Sequence, residues 1–291
     1  MRGLAALLLA AAAPATLFTI PAEHRLVEGI ASDGETIWVS SVLDRTIVTR
    51  TGNRLRTIRL PDDLANPLGL AWDAGRGWLW IATDCPDLPG VARCASGSLV
   101  AIDRQARVRA RFRPAEPLHG GDVSVGGGSV FVSDSRNGAI YRLAPGAKVL
   151  ATLVAPGIGK SAQGSALEPG GKRLIVADYS QGLFAIDLAT GRRTPLVEGG
   201  KRLRGLDGLI RVGDLYFAIY NGSSPARLIR FRLAGNTVVD GEAMPVSLPD
   251  PTQIVARRGQ LLIVANAGWE RAAKADAGPR DPAPIVAVPL R

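Results

Sequence analysis

Short runs of Val, Ile, Leu and Ala recur along this chain, and each is closed by Gly, Pro, Asn or Asp before the next run begins. Brief apolar runs bounded by turn residues and rich in β-branched side chains predict strands rather than helices. The clearest stretch has a strand over 162–167, a turn at 168–171, and a strand over 172–178 ending in Asp178. A hairpin at 179–181, a strand over 182–187, a turn at 189–191 and a last strand over 192–197 complete it.

The same order of runs recurs six times. The first copy places strands at 28–31, 36–40, 46–50 and 54–60, and the second at 68–72, 77–83 and 98–103, followed by a segment in which Arg alternates with apolar residues. The third has 121–125, 130–134 and 139–143, the fifth 207–210, 215–220 and 227–232, and the sixth 252–255, 261–266 and 284–289. Repeats of roughly 40–50 residues with four strands each are the signature of propeller blades. The expected fold is therefore all-β, a single six-bladed β-propeller of four-stranded antiparallel blades. The last copy lacks a fourth strand, and residues 16–21 supply one, so the N-terminal segment closes the ring on the last blade.

Composition changes this picture in two places. Residues 4–13 are only Leu and Ala after Arg2, and Ala13-Pro14-Ala15 supplies small residues of the A-x-A type. Residues 1–15 thus read as a secretory signal peptide and 16–291 as the propeller, with export to the periplasm or beyond the cell. The apolar run is about half of the roughly 20 residues a spanning helix needs, so no stable membrane insertion is expected. In an oxidising compartment Cys85 and Cys94 form a structural disulfide, and closing so short a loop stabilises by about 2–3 kcal/mol. The formal charge of +9 is spread over the chain and is densest at Arg107, Arg109, Arg111 and Arg113, which period 2 places on one face of a strand. No recognition helix or aromatic stacking motif accompanies them, and a nucleic-acid partner is not expected. A monomer is.

In a propeller the first strand of each blade lines the central channel, and its first residue lies at one mouth. Here those residues are Glu28, Leu68, Gly121, Gln163, Asp207 and Thr252. Two His and two Cys exclude a Cys/His-rich zinc site, so any metal would be held by oxygen, and Glu28, Gln163 and Asp207 suit one hard divalent cation. The competing reading makes these three hydrogen-bonded channel residues around ordered water. No G-x-S-x-G elbow is present, and Gly159-Lys160-Ser161 lacks the preceding glycine of a phosphate loop.

Glu28-Gly29, Gln163-Gly164, Asp207-Gly208-Leu209 and the strand ends of the Val-Ala-Asp and Val-Ser-Asp type resemble the SMP-30/gluconolactonase family (SMP-30/gluconolactonase/LRE-like region) of six-bladed propellers. That resemblance implies one divalent cation held by a Glu, an Asn and an Asp, and the opening of sugar lactones or related esters. Glu28 and Asp207 match the pattern; Gln163 stands where the family has Asn. The longer side chain favours calcium, the more tolerant ion, over magnesium, manganese or zinc. His119-Gly120 is similar to the His-Gly of paraoxonase-type lactonases, in which a second His assists the first. Here the corresponding strand end is Asp134, and a His119/Asp134 contact is the expectation.

The functional expectation is an exported metal-dependent hydrolase of a small lactone or ester, with Asp207 and His119 as catalytic groups and Asp122, Asp134 and Thr252 as substrate contacts. A non-catalytic propeller similar to NHL-repeat modules, binding a ligand or protein partner on its loop face, is the alternative. A strictosidine synthase type of propeller enzyme is a third. The two longest insertions, 84–97 and 267–283, lie at the same mouth and would narrow it, carrying Arg93, Trp269, Arg271 and Lys274 as possible ligand contacts.

Overall fold

The computed structural model describes residues 15–276, 278 and 280–290. Apart from Ala15, the expected leader lies outside the described residues. Six antiparallel sheets follow one another around an axis, one for each copy of the sequence pattern. Their innermost strands are Val27–Ser32, Asn66–Asp73, Gly120–Gly126, Ala162–Leu167, Leu206–Val212 and Ile254–Arg257. The last blade has the order Ala15–Ile20, Ala283–Pro289, Gln260–Val264, Ile254–Arg257, so the N-terminal strand closes the ring as its outermost member. Ala15 already pairs with Ala287, and Ile20 with Ala283.

Each blade buries both faces, which is why its second strand is a continuous apolar run rather than an alternating one. Within Trp78–Asp84, Leu79 and Ile81 pack towards the first blade, with Trp38 and Ile47, whereas Trp80 and Ala82 pack towards the third, with Val130 and Val132. The core is consequently a ring of six apolar layers between neighbouring blades rather than one central mass. The alternating arginines fall on Val108–Phe112 and its flanks, an outermost strand, where Arg107, Arg109, Arg111 and Arg113 are all exposed.

At the axis the inner strands come very close. A Cβ added to Gly29 would lie 2.2 Å from the Leu68 carbonyl oxygen of the next blade, and one added to Gly164 would lie 2.2 Å from the Leu209 nitrogen. Gly69 and Gly208 occupy the same position in their blades, and a Cβ there would lie 2.4 Å from Asp122 and 2.9 Å from Gln253. In five blades the inner strand is bulged at its start, at or beside these residues. A bulge leaves backbone groups without ladder partners, and they are satisfied locally. The Ser40 hydroxyl accepts from Gly29 N–H at 2.7 Å and donates to the Leu68 carbonyl at 2.7 Å, tying the first blade to the second.

Two local expectations change. The outermost strand of the fourth blade is only Arg193–Pro195, followed by a single bond from Leu196 N–H to the Leu183 carbonyl; Val197–Glu198 and Lys201–Arg202 then form a hairpin that joins the fifth blade through Val197 and Thr237. The 267–283 insertion contains a short helix, Trp269–Ala273, whose entry is fixed by Asp250 accepting the Gly268 and Trp269 N–H groups, each at 2.8 Å. Cys85 and Cys94 are bonded, with Cα atoms 5.7 Å apart. Among the described residues no helix is long and apolar enough to cross a membrane.

The close approach at the axis predicts unequal costs for two chemically identical substitutions. Gly164→Ala must push a Cβ into the fifth blade's backbone and should cost about 3 kcal/mol or more. Gly52→Ala, at a turn with open space around it, should cost only about 1–2 kcal/mol for its left-handed backbone. Urea denaturation of the two variants measures this, and equal losses would contradict the account.

Candidate functional site

The bulges turn Glu28 and Asp207 towards the axis at the mouth where the inner strands begin, here termed the upper mouth. Both are nearly sealed from solvent, at 6% and 8% exposure. Glu28 Oε2 accepts from the Trp269 indole Nε1 at 2.5 Å. Asp207 Oδ2 accepts from Asn221 Nδ2 at 2.8 Å, and the same nitrogen also donates to the Pro251 carbonyl at 2.9 Å. With its nitrogen committed twice, the Asn221 amide cannot turn over, and its Oδ1 is buried without a hydrogen-bond partner. Gln163 donates from Nε2 to the Ser161 hydroxyl at 3.1 Å, which turns its Oε1 towards Gly121. Thr252 is spent on structure: its hydroxyl donates to the Glu28 carbonyl at 3.1 Å and stitches the last blade to the first.

Acidic side chains gather at this mouth and at the level of the axial glycines beneath it. Among the described residues no Lys, Arg or His forms an ion pair with Glu28, Asp122 or Asp207. Burial pushes the Glu28 carboxyl well above the usual range, and the neighbouring Asp207 adds to the shift, with Asp122 and Asp250 behind it. Asp207 is raised to about 7, mainly by burial; the Asn221 hydrogen bond opposes the rise while Asp122 and Asp250 add to it. Asp122 also rises to about 7 through burial, with the Val123 N–H and the Gln253 side chain opposing. A carboxylate removed from water without a cation takes up a proton instead.

The two insertions close over this mouth. Trp269 and Ala272 from one and Leu88 from the other pack with Leu26, Leu43, Val42 and Leu68 into a small apolar cap. Of the other insertion residues expected to touch a ligand, Lys274 pairs with Glu270, Arg271 with Asp276, and Arg93 lies 3.7 Å from Asp87.

His119 stands elsewhere on the same face, and its imidazole does not meet Asp134. Its Nδ1 lies 3.0 Å from Asp84 Oδ1, while Asp84 Oδ2 pairs with Arg136 at 3.2 Å. Asp134 is fully buried and accepts three backbone N–H groups, from His119, Arg136 and Asn137. Asp178 plays the same part in the fourth blade, accepting from Lys160, Ser161, Ser180 and Gln181. The repeated Asp at these strand ends is thus a clamp between the inner strand and the hairpin beside it. Asp122 leaves the upper mouth altogether: it sits one residue further along the third inner strand, at the position of the axial glycines, with Gln253 as its counterpart in the sixth.

Sequence reasoning missed Trp269, Asn221, Asp84 and Asp250 as partners of the candidate residues. Trp269 and Asp250 arrive from segments outside the repeat. Asn221 stands one residue beyond the strand end, where Tyr220 takes the place of Asp134 and Asp178, so the repeat pattern gave no signal for it.

Among the described residues no three side chains of His, Cys, Asp and Glu stand close enough together to share a metal ion. The upper mouth offers a different donor set, two carboxylates supplemented by amide oxygens, and the orphaned Asn221 Oδ1 is an acceptor that a hard cation would satisfy.

No protein-family model matches the sequence, and no curated protein matches it significantly. Solved structures do resemble the fold. A calcium-binding protein, regucalcin, from Agrobacterium tumefaciens superposes with a TM-score of 0.65 at 16% identity, over 97% of this chain and 96% of that one. The PQQ-bound aldose sugar dehydrogenase of Streptomyces coelicolor gives 0.64 at 16% identity, over 95% and 98%. Virginiamycin B lyase of Staphylococcus aureus gives 0.61 at 11% identity, over 93% and 98%. The likeness is one of architecture, and these propellers carry different chemistries.

The raised carboxyls fix the sign of a pH effect. A carboxyl that holds its proton more tightly in the folded state contributes stability that is lost as pH rises from its unfolded value, near 4, to its folded value of about 7 for Asp122 and Asp207. Chelated protein should therefore be more stable at about pH 5 than at about pH 8, and Asp207→Asn should flatten the slope. Thermal unfolding across that range checks it; a chelated protein that grows more stable towards pH 8 would contradict it.

Proposed function

We propose that this chain is an exported, divalent-cation-dependent hydrolase that opens a small lactone or ester at the upper mouth. The observation that carries the reading is the pair of buried, uncompensated carboxylates, Glu28 and Asp207, beside an amide oxygen with no partner. Glu28 and Asp207 would hold the cation with the amide oxygens of Asn221 and Gln163, and calcium suits such a set of neutral and anionic oxygens best. When bound, the cation would act as a Lewis acid on the substrate carbonyl. The disulfide and the resemblance of residues 1–15 to a leader support export. The calcium-binding regucalcin neighbour supports the choice of ion.

The protein's own groups account for the remaining requirements. Asp207 is oriented by Asn221 and would serve as the general base towards attacking water. His119, with Nδ1 on Asp84, presents Nε2 as a further base on the same face. The apolar cap excludes water, and the Trp269 indole latches it to Glu28. Substrate entry requires that latch to open.

The closed cap also favours a second reading, a propeller that uses the cation only to hold its loop face in shape for a partner. Metal analysis of the purified chain followed by an aldonolactone panel separates the two. The hydrolase reading predicts one bound divalent ion per chain, turnover abolished by chelation, and a roughly 100-fold or greater loss of kcat/KM in Asp207→Asn. Bound metal without turnover of any lactone or simple ester would favour the second reading, and turnover unaffected by Asp207→Asn would overturn the first.

A further inference from the structure

Beyond the ring of glycines, on the side away from Glu28 and Asp207, the channel reopens into a cavity of about 390 Å³ to which all six inner strands contribute. Asp122 and Gln253 line it, while Glu28 and Asp207 do not. The walls carry Leu70, Val123, Leu209 and Ile254, with the Ser124 and Ser165 hydroxyls 2.6 Å apart between the third and fourth blades. Asp122 is 7% exposed, accepts from its neighbour's N–H at 2.7 Å and faces the Gln253 side chain, but meets no cationic group among the described residues. Arg211, the cation of the lining, is already committed to the Leu167 carbonyl at 2.8 Å and to the Gly213 carbonyl.

We propose that this lower cavity is a binding site for a small organic cation, with a primary ammonium group on Asp122 and a hydrocarbon body between Leu70, Val123, Leu209 and Ile254. The charge pattern selects this class. An anion would face Asp122 and find Arg211 occupied, and a metal ion would find one carboxylate among hydrocarbon walls. A neutral apolar molecule would leave the buried carboxylate unpaired, which is costly in such surroundings. An ammonium supplies the missing charge, in a cavity whose lining also offers the two serine hydroxyls. The volume falls within the range of small-molecule sites. This site does not rest on the hydrolase reading: its lining shares no residue with Glu28, Gln163, Asp207 and Asn221, although the charge of Asp122 is felt by Glu28 and Asp207.

Isothermal titration of the full chain at pH 8 with cyclohexylammonium chloride, in the presence of EDTA, tests the proposal, with cyclohexanol as the neutral isostere. Saturable one-to-one binding is expected, with cyclohexanol and the Asp122→Asn variant each weaker by about tenfold or more, the loss of one charge-assisted interaction. Ser165→Leu narrows the cavity and removes one of its two hydroxyls, and should weaken binding by about tenfold or more; circular dichroism confirms that each variant is folded. No saturable binding, equal affinity for cyclohexanol, or affinity unchanged in folded Ser165→Leu would overturn the proposal. Because EDTA removes the cation of the upper mouth, ammonium binding that persists while lactone hydrolysis is absent keeps the two readings apart.

Discussion

The structure depends on how closely six strands can approach one axis. Four of them carry glycine where they would otherwise collide, and the distances of 2.2 Å at Gly29 and Gly164 show that even one methyl group would not fit. The remaining two blades, third and sixth, lie across the ring from each other and carry Asp122 and Gln253 at that level. A ring drawn this tight cannot be an open pore. It divides the channel into an upper mouth with Glu28 and Asp207 and a lower cavity, and gives each its own electrostatic character.

The same closeness sets the upper mouth apart as an acidic, buried site. Bulges at the starts of the inner strands point Glu28 and Asp207 inward, and the two insertions pack Leu88, Trp269 and Ala272 into an apolar cap that Trp269 ties to Glu28. Burying carboxylates beside one another is unfavourable, and among the described residues no Lys or Arg forms an ion pair that relieves it. Those bases serve instead on outer strands and turns, as with Arg107 on Asp103 and Arg111 on Asp63. A fold so well supplied with positive charge that leaves its axial acids unpaired is one in which a bound cation has a place.

The blades were legible because their signal is local: apolar runs and turn residues repeat in order, and even the closing strand was visible as a missing fourth member. The first residues of the inner strands could be placed at a mouth for the same reason. What stayed hidden depends on contacts between copies or from outside them. The repeated strand-end Asp looked chemical but serves as a clamp, and only the partners of Asp134 and Asp178 reveal that. Asp122 was one residue from a mouth position, and in a bulged strand one residue decides which side of the glycine ring a side chain serves. The imidazole of His119 turned to Asp84 because Asp134 was already filled by backbone donors.

The account stands on the upper mouth being a cation site. Anomalous diffraction from crystals of the full chain grown with manganese measures this directly. The prediction is one strong peak between the Glu28 and Asp207 carboxylates and within reach of the Asn221 amide oxygen. A saturating ion found only elsewhere, with Glu28 and Asp207 left to their hydrogen bonds, would contradict it.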